Sequence, residues 1–258
     1  MGSIALQDIR WTYVNLESRP DRDAEIRKEL SCVGISADRF DACTGEQYTG
    51  PKAAVANYAK PGQIGCMLSH VTIAGHAAKQ KRGIVGVFED DAILCNDFVE
   101  RLRYIESNFN EPWDIFFLGS TFHPQPTWHK DTLGVGKDFE LTRTRHIVRA
   151  FGTWNTYAYL LNCQSAGRVL DLLWRNMHRS LAIDHLLILI QPELQCFCFT
   201  PGMAIQRDGW SDITKSHSTF SLFLPLGPHI WAERLSDFDW DSWVETVPAV
   251  SRGVGGVA

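Results

Sequence analysis

Three consecutive carboxylates, Glu89, Asp90 and Asp91, directly follow the apolar run 84–88. An uninterrupted apolar run of this length predicts a buried strand that is covered on both faces. Carboxylates at the end of such a strand repel one another and lose solvation, so a cation should neutralise them. Mg²⁺ or Mn²⁺ would take one or two of these carboxylates and keep its other positions for water and phosphate oxygens. The alternative is that the two aspartates cap a turn beside a solvated Glu89.

A second acidic segment, at 237–241, contains two D-x-D spacings within Asp237-Phe238-Asp239-Trp240-Asp241. Such a spacing can mimic a metal motif, but a motif supports a site only in the right structural context. No buried strand is predicted before this segment. We therefore expect an acidic, aromatic surface segment here and a metal site at 89–91.

Strands and helices alternate along the chain and must position these residues. Apolar residues recur at three- and four-residue spacing in 61–80, which predicts a helix, and the runs 9–16, 84–88 and 113–119 predict strands. Further strands are predicted near 34–40, 147–151, 156–161 and 195–200, and further helices at 23–30, 98–105, 166–174 and from about Asp184. This alternation favours an α/β fold with a mainly parallel central sheet flanked by helices.

Ligands of such sheets bind outside the carboxyl ends of the strands. Two places therefore gain interest before any family is considered: the loop after Leu16 and the acidic cluster after Phe88. The breaker-rich stretch 120–137 predicts a long surface loop, and loops of this kind often face a substrate. Beyond Asp208 the sequence predicts irregular structure.

Composition limits the classes of function. The net charge of −5, from 25 basic and 30 acidic residues, argues against nucleic-acid binding. No run approaches the roughly 18–20 apolar residues that span a bilayer, and the N-terminus lacks a basic segment followed by an apolar one. We expect a cytoplasmic chain without a transmembrane segment, with one domain over 1–250 and a flexible C-terminal tail at 251–258.

Motifs for several other chemistries are missing from the sequence. It contains no P-loop and no G-x-S-x-G elbow, and its glycine-rich tail has no following helix to form a dinucleotide-binding fingerprint. The seven cysteines include no C-x-x-C pair, which favours reduced thiols. Cys66 is expected to pack in the protein rather than to act as a nucleophile.

Several short motifs occur in a fixed order. They are N-L-x-x-R-x-D-R at 15–22, A-x-x-G at 42–45, G-x-x-G-C-x-x-S-H at 62–70, E-D-D at 89–91, Gly152-Thr153 with Ala158-Tyr159, I-D-x-x-L at 183–187, and P-x-x-x-x-Q at 201–206 followed by Ser211-Asp212-Ile213. In this order they resemble glycosyltransferase family 25, which includes lipopolysaccharide galactosyltransferases and collagen galactosyltransferases. The resemblance covers roughly residues 10 to 213.

The resemblance implies a GT-A fold, an inverting mechanism and, most often, UDP-galactose with Mn²⁺. On this basis we expect a glycosyltransferase that moves a hexose, with galactose favoured, from a UDP-sugar to a hydroxyl of a glycan acceptor. The divalent cofactor would be Mn²⁺ or Mg²⁺. The partners would be the nucleotide-sugar donor and the glycan acceptor, as in lipopolysaccharide or other glycan biosynthesis. Peripheral association with the inner face of a membrane is compatible with this expectation.

The resemblance also implies roles for individual residues. At the nucleotide end it suggests backbone contacts to the base and an arginine fork on phosphate, from Asn15, Leu16, Arg19 and Arg22. The alternatives are solvated arginines and an asparagine that caps a turn. On the predicted helix 61–80 it suggests Gly62, Ser69 and His70 as nucleotide- or ribose-binding residues. A buried, hydrogen-bonded histidine is the alternative for His70.

The metal and the base are assigned in the same way. Asp91 is the first choice as metal ligand, with Glu89 or Asp90 placing the ribose or bridging through water. His217 is a candidate for a late histidine ligand, and an ordinary surface histidine is the alternative. An inverting transfer needs a carboxylate that deprotonates the acceptor hydroxyl. Asp184 is the candidate for that role, and a helix N-cap is its alternative.

Two other functions remain open from the sequence. One is a metal-dependent hydrolase or nucleotidyltransferase that uses the carboxylates at 89–91, although the sequence shows no second, separated acidic motif for it. The other is a relative that binds nucleotide or glycan without turnover.

Overall fold

The structure, a computed structural model, describes residues 4–49, 60–121, 138–213, 215–218 and 234–247. Its strands are β1 (Ile9–Asn15), β2 (Asp38–Asp41), β3 (Ile84–Glu89), β4 (Ala92–Leu94), β5 (Ile115–Thr121), β6 (Phe139–Leu141), β7 (Ile147–Ala150), β8 (Trp154–Asn162), β9 (Cys196–Phe199), β10 (Ala204–Gln206), β11 (Gly209–Ser211) and β12 (Ser216–Ser218). Its α-helices are α1 (Pro20–Cys32), α2 (Pro61–Gln80), α3 (Phe98–Asn108), α4 (Ala166–Asn176), α5 (Ile183–Ile190) and α6 (Trp240–Thr246).

A central eight-stranded sheet has the order β2-β1-β3-β8-β5-β9-β7-β6. Strand β3 lies parallel to β1 and antiparallel to β8. Strands β8 and β7 run opposite to the other six strands of the sheet. The predicted α/β fold, with a mainly parallel sheet flanked by helices, is confirmed, and its two reversed strands make the sheet mixed.

The two faces of the sheet are covered by different helices. Side chains of α2, α4, α5 and α6 pack with Val85 and Val87 on one face. Side chains of α1 and α3 pack with Ile84 and Phe88 on the other. Burying an apolar side chain of this size contributes roughly 1.5–3 kcal/mol. The apolar run before the three carboxylates is therefore a strand that is dry on both faces, as its pattern predicts.

The described residues after Asp208 are more regular than predicted. β11 and β12 pair as an antiparallel hairpin, and α6 packs Trp240 and Trp243 into the core. The segment 237–241 is a surface segment only in its carboxylates, since Phe238 is also buried. Of the predicted long loop, residues 120 and 121 belong to β5, and 122–137 and the tail 251–258 lie outside the described residues.

Among the described residues, no helix is both long enough and apolar enough to cross a membrane.

Candidate active site

A cavity of ≈ 510 Å³ lies beyond the ends of β1 and β3, beside the first turns of α2. Its lining includes eight of the residues predicted from the sequence, namely Leu16, Arg22, Gly62, Ser69, His70, Glu89, Asp90 and Asp91. The rule that ligands bind at the carboxyl ends of strands thus agrees with the position of the cavity. Asn15 and Arg19 are not among the lining residues and act on it through their neighbours.

Asp90 and Asp91 share one cation in the described structure. Arg22 Nη1 lies 2.8 Å from Asp90 Oδ1 and 3.1 Å from Asp91 Oδ2, and its Nη2 donates to the Trp210 carbonyl at 2.7 Å. Asn15 Nδ2 donates to Asp90 Oδ2 at 2.8 Å and to the Arg19 carbonyl at 3.1 Å. Asn15 therefore ties the loop after β1 to the acidic cluster.

Only one of the two carboxylate oxygens of Asp91 accepts hydrogen bonds from the described residues. Its Oδ2 accepts from Gln206 Nε2 at 3.0 Å, whereas its buried Oδ1 has no hydrogen-bond partner among the described residues. Burial and the neighbouring charges of Glu89 and Asp90 raise the pKa of Asp91 to about 7, although Arg22 lowers it. A buried, unpaired oxygen in a cluster of like charges suits a hard divalent ion. The residues present therefore fit the expected cofactor.

Arg19 is held by carboxylates rather than facing the cavity. It makes two parallel contacts to Asp21, with Nε 2.9 Å from Oδ1 and Nη2 2.7 Å from Oδ2. Its Nη1 pairs with Asp212, a cavity-lining residue after β11. Arg19 thus fastens the loop after β1 to the loop after β11, and a direct phosphate contact from it stays a prediction.

The glycines of α2 allow the helix to approach its neighbours closely. A Cβ on Gly65 would lie 2.6 Å from the Cys43 carbonyl oxygen, and one on Gly62 would lie 2.9 Å from Ile213 Cα. Real Cβ atoms do not approach so closely, so only glycine allows this packing. Ser69 reinforces it, because its Oγ accepts from the Cys43 amide at 2.9 Å and donates to the Gly65 carbonyl at 2.8 Å.

His70 and Glu89 belong to a buried polar network. His70 Nδ1 lies 2.9 Å from the Tyr159 hydroxyl, and its Nε2 lies 3.3 Å from Glu89 Oε1. Thr156 donates to the same Glu89 oxygen. Burial acts to raise the pKa of Glu89, but the contacts with His70 and Thr156 outweigh it and keep the pKa below its usual value. Glu89 is therefore an anchored anion at the floor of the cavity.

Asp184 lines a second cavity of ≈ 230 Å³. The two cavities share the lining residues Cys66, Glu89, Gln206, Ser211 and Ile213, so they are two parts of one cleft. Asp184 lies in the first turn of α5, whose N-cap is Ala182, and it is therefore not that helix's N-cap. Its Oδ1 is buried and has no hydrogen-bond partner among the described residues.

The environment of Asp184 changes its acidity. Burial and the charge of Glu89 raise the pKa of Asp184 to about 7, against opposing effects of His70 and a backbone hydrogen bond from Asn155. A carboxylate with this pKa is half ionised near neutral pH. It can therefore both accept and release a proton there, which is the property required of a general base.

His217 lies apart from these groups. It is exposed on β12, where its ring meets Trp210 edge-on at 5.7 Å, and it is not among the described residues that line either cavity. A metal contact from His217 stays a prediction.

Three parts of the site were not assigned roles from the sequence. Gln206 holds Asp91, Thr156 holds Glu89, and the cations Lys60 and Lys215 line the large cavity. Gln206 did occur within the motif P-x-x-x-x-Q, so its position was available as a signal. No sequence signal marked the two lysines, because a lysine that lines a cavity cannot be distinguished in a sequence from a solvated surface lysine.

Comparison with known proteins assigns the chain to a family. The sequence model for glycosyltransferase family 25 (LPS biosynthesis protein) matches residues 11–187. The chain belongs to glycosyltransferase family 25. That match spans every predicted site residue except His217, and the resemblance stated from the motifs is confirmed.

Relatives within glycosyltransferase family 25 are distant. A probable inactive glycosyltransferase 25 family member 3 from Bos taurus is 25% identical over 67% of this chain and 30% of its own. A procollagen galactosyltransferase 1-A from Xenopus laevis is 23% identical over 61% and 27%. The chain spans less than a third of the length of the curated relatives it matches, between 27% and 31%.

Among solved structures, the inositol-1-phosphate CTP transferase from T. maritima aligns with a TM-score of 0.38 and 12% identity, over 79% of this chain and 71% of that one.

Proposed function

We propose that the chain transfers a hexose from a UDP-sugar to a hydroxyl of a glycan acceptor, with inversion at the anomeric carbon. One observation carries the proposal: Asp91 and Asp184 line two cavities that open into one cleft and share Glu89. Such a cleft can hold donor and acceptor side by side. Galactose is the favoured sugar because a relative from Xenopus laevis is named a procollagen galactosyltransferase.

The large cavity has the chemistry of a nucleoside diphosphate site. Its cationic lining residues Arg22, Lys60 and Lys215 suit phosphate, and its floor carries Asp90 and Asp91. Mn²⁺ or Mg²⁺ would be held by Asp91, with Asp90 or Glu89 close by, and would neutralise the departing diphosphate when bound. Asn15 and Gln206 keep the two aspartates in place through their hydrogen bonds.

The smaller cavity supplies the base. The unpaired Oδ1 of Asp184 accepts the proton of the acceptor's hydroxyl group. The acceptor's hydroxyl oxygen meanwhile attacks the anomeric carbon from the side opposite the diphosphate. The bond to the diphosphate breaks as the new glycosidic bond forms, so the configuration inverts. A product with retained configuration, seen by NMR, would contradict this role of Asp184.

A second candidate function is nucleotide binding without turnover. It is favoured by the contact of Arg22 with both Asp90 and Asp91, which offsets part of their charge without a metal. Relatives named inactive also occur in the family. Release of UDP from UDP-galactose separates the two functions, because water can replace an unidentified acceptor hydroxyl and only a turning-over enzyme releases UDP.

A thermal-shift panel of UDP, GDP, CDP and dTDP, each with and without Mn²⁺, tests the donor class. A ligand at 100 times its Kd stabilises the folded state by about 2.7 kcal/mol, which is several degrees for a chain of this size. We expect this shift with UDP and Mn²⁺ together. Equal shifts with all four nucleotides, or none with UDP, would contradict a UDP-sugar donor.

A further inference from the structure

Cys66, His70 and Glu89 form a second group of potential ligands beside the aspartates. Cys66 and His70 are four residues apart on α2 and so project from the same side of the helix, while Glu89 ends β3. One ligand atom of each lies within 4.8 Å of the other two. All three residues line the large cavity.

The histidine in this group is arranged like a metal ligand. The His70 side chain is only 2% exposed. Its Nδ1 is fixed by the Tyr159 hydroxyl at 2.9 Å. Its buried Nε2 faces Glu89 Oε1 at 3.3 Å, without a hydrogen bond of good geometry among the described residues. Metal-binding histidines commonly have their second nitrogen held in this way by an outer partner.

We propose that Cys66, His70 and Glu89 form a binding site for a borderline-soft divalent cation such as Zn²⁺, next to the hard-cation site at Asp91 and different from it in its ligands. A thiolate, an imidazole and a carboxylate are the donors that Zn²⁺ accepts, whereas Mg²⁺ and Mn²⁺ prefer oxygen. Tetrahedral Zn²⁺ holds its ligand atoms roughly 3.4–3.8 Å apart. Side-chain movements of about 1 Å would close the cluster around the ion. Coordination replaces the Cys66 S–H bond with an S–Zn bond and releases the proton to solvent.

The position of the site has a consequence for the cleft. Cys66 and Glu89 line both cavities, so an ion held between them lies where the two parts of the cleft meet. Three protein ligands would leave a fourth coordination position for water or an anionic ligand. Zinc bound here should therefore obstruct the cleft.

Cobalt(II) is the probe for this site, because a thiolate bound to Co²⁺ gives a sulfur-to-metal charge-transfer band that oxygen ligands do not give. Titration of the full chain with Co²⁺ should produce this band with one equivalent, and Zn²⁺ should displace it. Cys66→Ser should abolish the band. Cys43→Ser should retain it, since Cys43 lines the same cavity but lies outside the cluster.

Two further variants test the site without changing Cys66, in case Cys66→Ser loses the band only because it does not fold. Tyr159→Phe removes the outer hydroxyl from His70 and should weaken Co²⁺ binding by about 10- to 100-fold while keeping the band. Asp91→Asn should keep the band, because Asp91 is not one of the three clustered ligands. A wild-type protein without the band, or a folded Cys66→Ser protein that still gives it, would overturn the proposal. The readout uses no nucleotide, so its outcome is independent of the proposed transferase activity.

Discussion

The carboxylates at 89–91 and those at 237–241 have similar composition and very different surroundings. The first group ends a strand that is dry on both faces, and the Asp90 and Asp91 side chains are only 11% and 9% exposed. In the second group Asp239 caps α6 by accepting from the Ser242 amide at 3.0 Å, and Asp241 is 78% exposed. The strand that precedes the carboxylates at 89–91, rather than their spacing, places them in the lining of a cavity, whereas Asp239 caps a helix.

The largest expected effect is on turnover at Asp184. Asp184→Asn should retain donor affinity and lower kcat by about 10²- to 10⁴-fold, the range for loss of a general base. The asparagine keeps the shape of the side chain but cannot accept the proton. UDP release from UDP-galactose gives kcat, and Asp241→Asn is the matched control with expected wild-type turnover. Near-normal turnover in Asp184→Asn would remove Asp184 from the mechanism.

Replacing the arginine partner of each acidic region should change the stability of the protein by different amounts. Arg22→Gln leaves two buried carboxylates without their cation and should lower the free energy of unfolding by about 3 kcal/mol at pH 8. Arg145→Gln removes a partner of Asp241 that is itself 50% exposed, and should cost less than about 1 kcal/mol. Urea denaturation of both variants gives the comparison. Equal losses would contradict the difference in burial.

The acidity of Asp184 predicts how stability depends on pH. Its pKa is about 7 in the folded protein and about 3.9 in an unfolded chain. Between these values the folded state binds more protons than the unfolded state, so stability falls as pH rises. The stability of Asp184→Asn relative to wild type should therefore grow by about 2–3 kcal/mol from pH 5 to pH 8. A difference that stays constant with pH would mean that Asp184 ionises normally.

The smallest effect is expected at the helix cap. Asp239→Ala removes the acceptor of the Ser242 amide and should destabilise the protein by about 1 kcal/mol. UDP affinity should not change, because Asp239 is not among the described residues that line the cavities. Thermal unfolding and calorimetry on the same sample measure both quantities. A loss of UDP affinity would show that the second acidic region belongs to the site after all.

Features encoded by local periodicity could be predicted from the sequence. The helix predicted at 61–80 is α2 at Pro61–Gln80, and the run 84–88 is β3, which extends to Glu89. Apolar spacing determines which side of an element is buried, and breakers determine where it ends. Strand direction is not encoded in this way. The reversal of β8 therefore could not be predicted, because an apolar run looks the same in either direction.

Contacts between segments far apart in the chain could not be predicted from the sequence either. The sequence placed Arg22 near phosphate and did not pair it with Asp90 and Asp91, which are 68 and 69 residues away. The contact between Gln206 and Asp91 spans 115 residues. Such pairings depend on how loops meet above the sheet, and no local pattern records them.

Calorimetric titration of UDP in the presence of Mn²⁺, with wild type, Asp91→Asn and Asp237→Asn, tests most directly whether the carboxylates at 89–91 form the donor's metal site. Losing a charged ligand costs about 1.5–3 kcal/mol, so Asp91→Asn should weaken UDP binding by about 10- to 100-fold. Asp237→Asn, an exposed carboxylate of the other acidic segment, should bind UDP like wild type. Unchanged Mn²⁺-dependent affinity in Asp91→Asn would contradict a metal site at Asp91.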